Sequence, residues 1–395
     1  MDNSIYLDNN ATTPLDKRAL DAMMPYLTNF YGNASSISHK AGRWAAEVIE
    51  TSRKQVARLI GAIPAEIIFT SGATEAINMV IKGIFKHYQI KGKHFITCQT
   101  EHKAVLEVFT FLEKEGAEVT YLPVNSQGLL NLDELEEAIR PDTVMIALMY
   151  ANNETGVINP VAEIGRICEQ HEVLFFCDAT QVAGKIPIDV TKDGIDLLCL
   201  SAHKLYGPKG IGAVYVKRRN KRIQIGPFIH GGGQEGGMRG GTLNVPAIAG
   251  FGEAAAISQK EGLEENKRLA DLRDLLETSI LANITACHIN GQSTPRLPNT
   301  SNICFQYVKG EEIMVNLPNI ALAAGSACTS GKREPSHVLL AMGLSLSDAG
   351  SCLRFSLGRF TTIEEIEEVI ASVTQVVIKL RQESPIWTLH LLNKL

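Results

Sequence analysis

The sequence predicts an α/β fold, in which a large domain with a mostly parallel sheet precedes a smaller α+β domain. Helical and strand-like patterns alternate from residue 40 to about residue 220, as they do in repeated βα units. A glycine-rich stretch at 231–241 interrupts this alternation. The chain has 395 residues, which is too long for one ordinary core. We therefore expect two domains.

Hydrophobic periodicity gives the elements of the large domain in chain order. Apolar residues at helical spacing predict helices at 40–60, 74–87, 103–115, 132–140 and 160–171. Short, nearly continuous apolar runs predict strands at 66–70, 93–98, 117–123, 143–149, 173–177 and 196–200. Runs of this kind are typical of parallel strands that helices cover on both faces.

A second group of elements follows the glycine-rich stretch. A long helix is predicted from about 245 to 281 and would lead out of the large domain. Beyond it, the same patterns predict strands near 284–290, 300–306 and 352–357 and helices near 335–343 and 362–381. We assign residues 16–260 to the large domain, and residues 1–15 and 261–395 to the small domain.

Composition and charge exclude several classes of protein. Hydrophobic residues make up 45% of the chain and charged residues 21%, which is near the globular average. The net charge is −5 and the basic residues are scattered, so no nucleic-acid surface is expected. The N-terminus has no basic segment followed by an apolar run, and no apolar window approaches membrane-spanning length, so we expect a cytoplasmic protein without membrane contact. The eight cysteines include no Cys-x-x-Cys pair, which argues against a zinc ribbon, a disulfide framework and an intrinsic metal.

Polar residues collect just after the predicted strands, where open α/β sheets bind their ligands. Residues 71–74 form a small-residue turn that could present N–H groups to a phosphate, although taken alone this motif favours an ordinary Ser/Thr N-cap. His102 and Asn153 follow two other strands, and Asp178 and Gln181 follow a third. Each could be an ordinary capping or hydrogen-bonded residue. Because all of them fall on one edge of one sheet, we predict a ligand site there.

Lys204 follows the last predicted strand of the large domain and lies between apolar neighbours. Partial burial would lower the pKa of its amine and make it a nucleophile toward an aldehyde, so Lys204 is a Schiff-base candidate. Asp178 precedes it by one βα-type excursion, where a carboxylate could keep a pyridinium nitrogen protonated. Without Asp178 and the other polar residues at the strand ends, Lys204 would be interpreted as a surface lysine in a loop.

Eight motifs occur in order along nearly the whole chain. They are Tyr6–Thr13, Thr70–Glu75, Thr100–His102, Asn152–Gly156, Asp178–Gln181, Ser201–Lys204, Gly325–Ser330 and Arg354–Arg359. With them the chain resembles the fold-type I pyridoxal-phosphate enzymes, specifically the class V aminotransferase-like cysteine desulfurases of the NifS and IscS kind. The resemblance implies a large-domain sheet of the seven-stranded type, pyridoxal 5'-phosphate as cofactor, and a homodimer.

The resemblance also implies how the cofactor is bound. Lys204 would hold it as a Schiff base, and His102 would stack on its ring and help to move protons. Asp178 would pair with the ring nitrogen, while Gln181 would bond to the phenolic oxygen. The remaining cofactor-binding residues, mostly around the phosphate, would be Ala73, Thr74, Ser201 and His203, joined by Thr242 of the partner subunit.

Substrate capture would fall to Arg354, with Asn153 assisting. The planar guanidinium matches a carboxylate in bidentate fashion, so Arg354 would bind the carboxylate of L-cysteine. The alternative for Arg354 is a structural ion pair, which its motif makes the weaker explanation.

Cys328 is the predicted nucleophile for the sulfur. Small residues surround it, and Lys332 and Arg333 follow, so both reach and thiolate formation are favoured. The resemblance implies that Cys328 takes the sulfur as a persulfide and passes it to an iron–sulfur scaffold protein or another acceptor, where it could also be a transient cluster ligand. Cys352 is predicted to be a neighbour of the site. Four further cysteines in apolar runs are predicted to be core: Cys98, Cys177, Cys199 and Cys304.

Two other functions remain open at this point. One is a selenocysteine lyase, or another pyridoxal-phosphate lyase, on the same scaffold. The other is a sulfur-relay or scaffold-interaction protein whose cofactor site is vestigial. The intact set of Lys204, Asp178, His102 and Arg354 argues against the second alternative.

Overall fold

The computed structural model describes residues 4–218, 223–324 and 335–392. Within these ranges the strands are β1 (Ile5–Tyr6), β2 (Ile67–Thr70), β3 (His94–Cys98), β4 (Glu118–Leu122), β5 (Thr143–Met149), β6 (Leu174–Asp178), β7 (Leu197–Ser201), β8 (Gly212–Val216), β9 (Cys287–Ile289), β10 (Thr300–Phe305), β11 (Ile320–Ala321), β12 (Ala323–Ala324) and β13 (Cys352–Ser356). The α-helices are α1 (Lys17–Thr28), α2 (Lys40–Leu59), α3 (Ala73–His87), α4 (Lys103–Lys114), α5 (Leu132–Glu137), α6 (Val161–Gln170), α7 (Val245–Asn283), α8 (Gly310–Val315), α9 (His337–Ala341), α10 (Leu346–Gly350), α11 (Ile363–Gln382) and α12 (Pro385–Leu391).

The large sheet has seven strands in the order β2-β8-β7-β6-β5-β3-β4. The pairs from β7 through to β4 are parallel, whereas β8 is antiparallel to both β2 and β7. The prediction of a mostly parallel sheet of the seven-stranded type is confirmed. The sequence patterns do not predict β8, because it begins with Gly212 after a glycine-containing turn, and glycine is uncommon within strands.

Helices cover the large sheet on both faces. On one face α2, α6 and the first part of α7 pack against sheet residues such as Phe69 and Phe175. On the other face α3 and α4 pack against residues such as Phe95 and Phe176. Every residue of β5 is buried. This double coverage explains why the strands appear in the sequence as continuous apolar runs.

The remaining strands form two smaller sheets. β12-β13-β10-β9 is an antiparallel sheet, and β1 pairs in parallel with β11. The 39-residue α7 ends beside them, where Leu276 shares a hydrophobic cluster with Val373 of α11. Asp8 bridges to Ser356, so the N-terminal segment joins β13. The division into residues 16–260 and residues 1–15 with 261–395 stays a prediction.

Most predicted elements are found, and the differences have local causes. The helix predicted at 132–140 ends at Glu137, and the strand predicted at 284–290 shortens to Cys287–Ile289. Helix α1 was not predicted, since it contains Pro25 and buries only Ala19. In the described ranges, no helix combines the length and the apolar character that crossing a membrane requires.

Candidate active site

Strands β7, β6, β5 and β3 are consecutive parallel neighbours, and the residues that follow them form the candidate site. Asp178 is the last residue of β6, and Ser201 is the last residue of β7. His102 follows β3, and Asn153 follows β5. Because the carboxyl ends of parallel strands meet at one sheet edge, these residues are brought to the same side of the sheet.

Lys204 lies in a 3-10 turn, Ala202–Lys204, directly after β7. Its Nζ donates hydrogen bonds to the carbonyl oxygens of Asn10 and Ala11, at 2.5 and 2.7 Å. Burial and the positive charge of Arg354 lower the pKa of this amine to about 8, against the opposing effect of nearby carboxylates. A useful fraction of the amine is therefore neutral and nucleophilic near neutral pH.

The chain just after Lys204 is held firmly in place. Tyr206 has a φ of 64°, which is unusual for a bulky residue, and its N–H donates to Thr13 Oγ1 at 2.9 Å. The guanidinium of Arg359 lies 4.2 Å from the centre of the Tyr206 ring and pairs with Asp16 at 2.6 Å. These contacts fix the direction in which Lys204 leaves the sheet.

Asp178 presents a carboxylate with one free oxygen. Its Oδ1 accepts from the N–H of Thr180 at 2.9 Å and from the Cys199 thiol at 3.2 Å. Among the described residues, Oδ2 receives no hydrogen bond, although the side chain is only 7% exposed. A carboxylate oxygen that accepts no hydrogen bond from the described residues fits a protonated ring nitrogen.

His102 caps α4, and its Nδ1 accepts from the N–H of Ala104 at 3.1 Å. Burial and nearby positive charges, including Lys204, lower the pKa of the imidazole, so it is neutral near pH 7 with its proton on Nε2. The preceding residue, Glu101, is fully buried, and its Oε1 accepts from the N–H of Met149 at 2.7 Å. Burial raises the pKa of Glu101 well above its ordinary value, and the hydrogen bond to Met149 ties the end of β3 to the end of β5.

The turn before α3 is built to receive an anion. Its N-cap is Gly72, whose φ of 155° favours glycine, and no side chain caps the helix. The Ser/Thr N-cap alternative is therefore wrong, and the N–H groups of Ala73 and Thr74 have no side-chain acceptor. The Ser201 hydroxyl lies beside Gly72. Burial and nearby lysines lower the pKa of His203 to about 4, so it is neutral.

Arg354 is an ion-paired residue, 8% exposed, on β13. Its Nη2 contacts Asp8 Oδ1 at 2.6 Å, and its Nη1 donates to the carbonyl oxygen of Asn153 at 3.0 Å. Its buried Nε has no hydrogen-bond partner. Asp8 thus forms the ion pair of the alternative interpretation, yet the guanidinium keeps Nε as an unused donor.

Comparisons with known proteins place this arrangement in a family. The model of the family described as aminotransferase class-V matches residues 5–369. The chain is also 50% identical over 383 residues to the cysteine desulfurase IscS of Anaeromyxobacter sp. (strain Fw109-5), an alignment that covers 97% of this chain and 95% of that protein. The chain belongs to the class-V aminotransferase family.

Solved structures of similar proteins have the same fold as this chain. A NifS-like protein has a TM-score of 0.88 and 37% identity, covering 95% of this chain and 100% of that one. SspA in complex with cysteine has a TM-score of 0.78 and 38% identity, covering 91% of this chain and 100% of that one. The fold-type I prediction is confirmed.

Two further predicted site residues, Cys328 and Thr242, belong to other segments of the chain. Cys328 lies in 325–334, outside the described residues. Upstream of that segment, β12 pairs with β13 so that Ala323 lies opposite Arg354. Downstream, His337 Nε2 lies 3.0 Å from the carbonyl oxygen of Glu101. Thr242 is exposed just before α7, and its role in a partner's site stays a prediction.

The cysteines predicted to be core are buried as free thiols. Burial raises the pKa of Cys98 to about 11 and holds the pKa values of Cys177 and Cys199 well above the ordinary range, so these thiols resist ionisation. Cys352 is buried as well, and its thiol donates to the carbonyl oxygen of Asp348 at 3.1 Å. These five thiols, Cys98, Cys177, Cys199, Cys304 and Cys352, are packing groups. No cluster of three or more His, Cys, Asp or Glu side chains suited to a metal is found in the described ranges.

Sequence analysis gave no role to three residues that contact the site. Asp8 pairs with Arg354, and Asn10 accepts a hydrogen bond from Lys204. Lys185 contacts both Gln181 and Asn10. Asp8 and Asn10 belong to a motif that the analysis recognised, so the motif itself was the available signal. Lys185 carried none, because a single lysine after a turn predicts a surface residue.

Proposed function

We propose that this chain is a pyridoxal-phosphate-dependent cysteine desulfurase. It converts L-cysteine to L-alanine, holds the sulfur as a persulfide on Cys328 and passes it to acceptors for iron–sulfur cluster assembly. The observation that carries the proposal is the amine of Lys204, whose pKa is about 8, next to a strand that ends in the half-bonded carboxylate of Asp178. A relative named cysteine desulfurase, similar over nearly the full length, supports cysteine as the substrate.

Pyridoxal 5'-phosphate fits the groups that the described residues offer. When bound, it supplies an electron sink for the carbon skeleton of an amino acid. Lys204 would attach it, Asp178 Oδ2 would receive its ring nitrogen, and Gln181 would donate to its phenolic oxygen. Its phosphate would lie at the start of α3, held by Ala73, Thr74, Ser201 and His203, with Thr242 of the partner subunit.

Arg354 and Asn153 would bind the substrate carboxylate. Such a carboxylate carries the same charge as Asp8 and can replace it at the guanidinium, where it would also satisfy the orphan Nε. His102 would face the reacting carbon with a neutral ring that holds a proton on Nε2 and can donate it there. Carboxylate binding by Arg354 would thus come from β13 of the small antiparallel sheet, and proton delivery by His102 from the end of β3 in the large sheet.

Sulfur removal would be a nucleophilic step at Cys328. Its thiolate would attack the sulfur of the bound L-cysteine, forming an S–S bond as the C–S bond breaks. The carbon skeleton would leave as L-alanine, and the sulfur would remain as a persulfide. A thiol acceptor or an iron–sulfur scaffold protein would then take the terminal sulfur, and Cys328 could serve as a transient cluster ligand in that complex.

A homodimer in the cytoplasm is the proposed working form. Three apolar side chains in one short segment are strongly exposed in the single chain: Leu27 at 56%, Tyr31 at 83% and Ile37 at 69%. Clustered apolar exposure of this kind supports a contact with a second copy. The exposed Thr242 is then available to a partner's site, as the proposal requires.

The direct test measures both products from one substrate. Purified protein with pyridoxal phosphate, L-cysteine and a thiol reductant is expected to form L-alanine and sulfide in equal amounts, whereas D-cysteine should give neither. Bound cofactor without product from L-cysteine would contradict the proposal, and the same assay with L-selenocysteine would then examine the lyase alternative. Failure to bind any cofactor would favour the sulfur-relay alternative.

The lowered pKa of Lys204 predicts how cofactor attachment depends on pH. Only the neutral amine attacks an aldehyde, so the attachment rate should rise as pH increases through about 8 and level off above it. An ordinary lysine would keep rising to its usual pKa of 10.5. Growth of the visible cofactor band after mixing apoprotein with pyridoxal phosphate, followed from pH 6.5 to 10, measures this. A rate that still climbs steeply above pH 9 would show that the amine is not perturbed.

A further inference from the structure

Lys185 is a buried lysine that the proposed function does not use. Its side chain is 8% exposed, and no carboxylate lies within ion-pair distance of its Nζ among the described residues. Lysines are rarely buried in this way, because removing an ammonium from water is costly. The turn after β6 places Lys185 four residues beyond Gln181, on the same side of the chain. Such a group needs an explanation.

The amine of Lys185 contacts two oxygens that belong to the site. Its Nζ donates to Gln181 Oε1 at 3.1 Å and to Asn10 Oδ1 at 3.3 Å. Gln181 uses its other end to donate, from Nε2, to the carbonyl oxygen of Asn10 at 3.0 Å. That same carbonyl oxygen accepts from Lys204. The nitrogen of the Gln181 amide therefore faces Lys204, and its oxygen faces Lys185.

We propose that Lys185 is a positioning residue, whose buried amine holds the Gln181 amide with Nε2 directed toward the cofactor side of the site. A Gln amide can rotate by half a turn and exchange its donor for its acceptor. A lysine amine beside Oε1 prevents this, because it supplies N–H donors and would meet only another donor after the rotation. The inference rests on the proposed function for the cofactor alone and does not depend on cysteine being the substrate.

This role holds in either charge state of the amine. Burial, together with the positive charges of Lys204 and Arg354, lowers the pKa of Lys185 to about 7, and Glu265 opposes this. The neutral amine keeps two N–H groups, which are enough for its two oxygen acceptors. Deprotonation therefore removes the charge and leaves the orientation of Gln181 unchanged.

The test replaces Lys185 with methionine, which has a similar length and no donor. The readout is the visible band of the bound cofactor, titrated with pH in the absence of cysteine. Loss of the Gln181 donor would raise the pKa of the proton shared by the Lys204 nitrogen and the phenolic oxygen, and loss of a nearby positive charge acts in the same direction. We expect the midpoint to rise by about one pH unit.

A double-mutant cycle shows whether Lys185 acts through Gln181. Gln181→Met alone should raise the midpoint by at least as much as Lys185→Met. The double variant should then shift it by clearly less than the sum of the two single shifts, since only the charge of Lys185 acts without the amide. Additive shifts of the two variants would overturn the proposal, because they would mean that Lys185 acts independently of the amide.

Two controls separate positioning from packing. Lys192→Met removes an exposed lysine seven residues later in the chain and should leave the midpoint unchanged. If Lys185→Met lowers the melting temperature and leaves the midpoint in place, its role is packing and the proposal fails. The titration needs only bound cofactor, so it tests the role of Lys185 even if no alanine forms from L-cysteine. Failure of the desulfurase assignment can therefore be told apart from failure of this proposal. A wild-type chain without a cofactor band would overturn both.

Discussion

Replacing Lys204 with alanine is expected to lower alanine formation from L-cysteine by more than about 1,000-fold. Among the described residues, Lys204 is the amine that lies beside Asp178 and has a lowered pKa directly after a sheet strand. The variant should still fold, since the amine contacts only the carbonyl oxygens of Asn10 and Ala11. The measurement is initial rate of alanine release, with the visible cofactor band recorded in parallel and expected to be absent.

Lys209→Ala is the matched control for this prediction. Lys209 is exposed and follows Lys204 by five residues, so the same type of substitution should leave both rate and band near their original values. Substantial activity in Lys204→Ala would mean that another amine attaches the cofactor. Lys185 would be the first to examine, because burial and neighbouring charges lower its pKa to about 7.

Replacing Cys328 with alanine is expected to lower sulfide and alanine formation by at least about 100-fold while the cofactor band remains. The thiol would be lost, but the groups that bind the cofactor and the substrate carboxylate would not. L-Cysteine should therefore still perturb the visible spectrum of the variant. Absorbance spectra and product assays on the same sample measure the spectral response to L-cysteine and the loss of product together.

Cys287→Ala provides the control, since Cys287 is a half-buried thiol at the edge of the small antiparallel sheet. Burial raises its pKa, so it should not replace Cys328 as a thiolate. Unchanged sulfide production in Cys328→Ala would show that the sulfur leaves by another route. In that case a selenocysteine lyase type of reaction, without a protein persulfide, becomes the better description.

The sheet could be predicted from sequence because burial on two faces leaves a strong local pattern. All residues of β5, β6 and β7 are buried, and each appears as a continuous apolar run. The antiparallel direction of β8 leaves no pattern of its own in the sequence, because the strand is as buried as its parallel neighbours. Helix α1 was missed for the opposite reason: it buries little and contains a proline.

The site residues at strand ends could likewise be predicted, because sheet topology alone gathers them at one edge. Contacts between distant segments could not. Asn10 and Lys204 lie 194 positions apart, and Asp8 and Arg354 lie 346 positions apart. No local periodicity encodes such pairs. Gln181 and Lys185 are close in sequence. Both also contact Asn10, however, and only the folded chain brings Asn10 near them.

The contacts of the N-terminal segment determine when, during synthesis and folding, the pocket around Lys204 can be completed. Residues 5–11 are synthesised long before their partners, since β1 pairs with β11, and Asp8 pairs with Ser356 and Arg354. Lys204 emerges in between and receives the carbonyl oxygens of Asn10 and Ala11 only when that segment has docked. Contacts of such long sequence separation form late in folding. A nascent chain that has not yet reached Ser356 would thus display the lysine without the finished pocket, and capture of the cofactor would mark a chain that has passed this point.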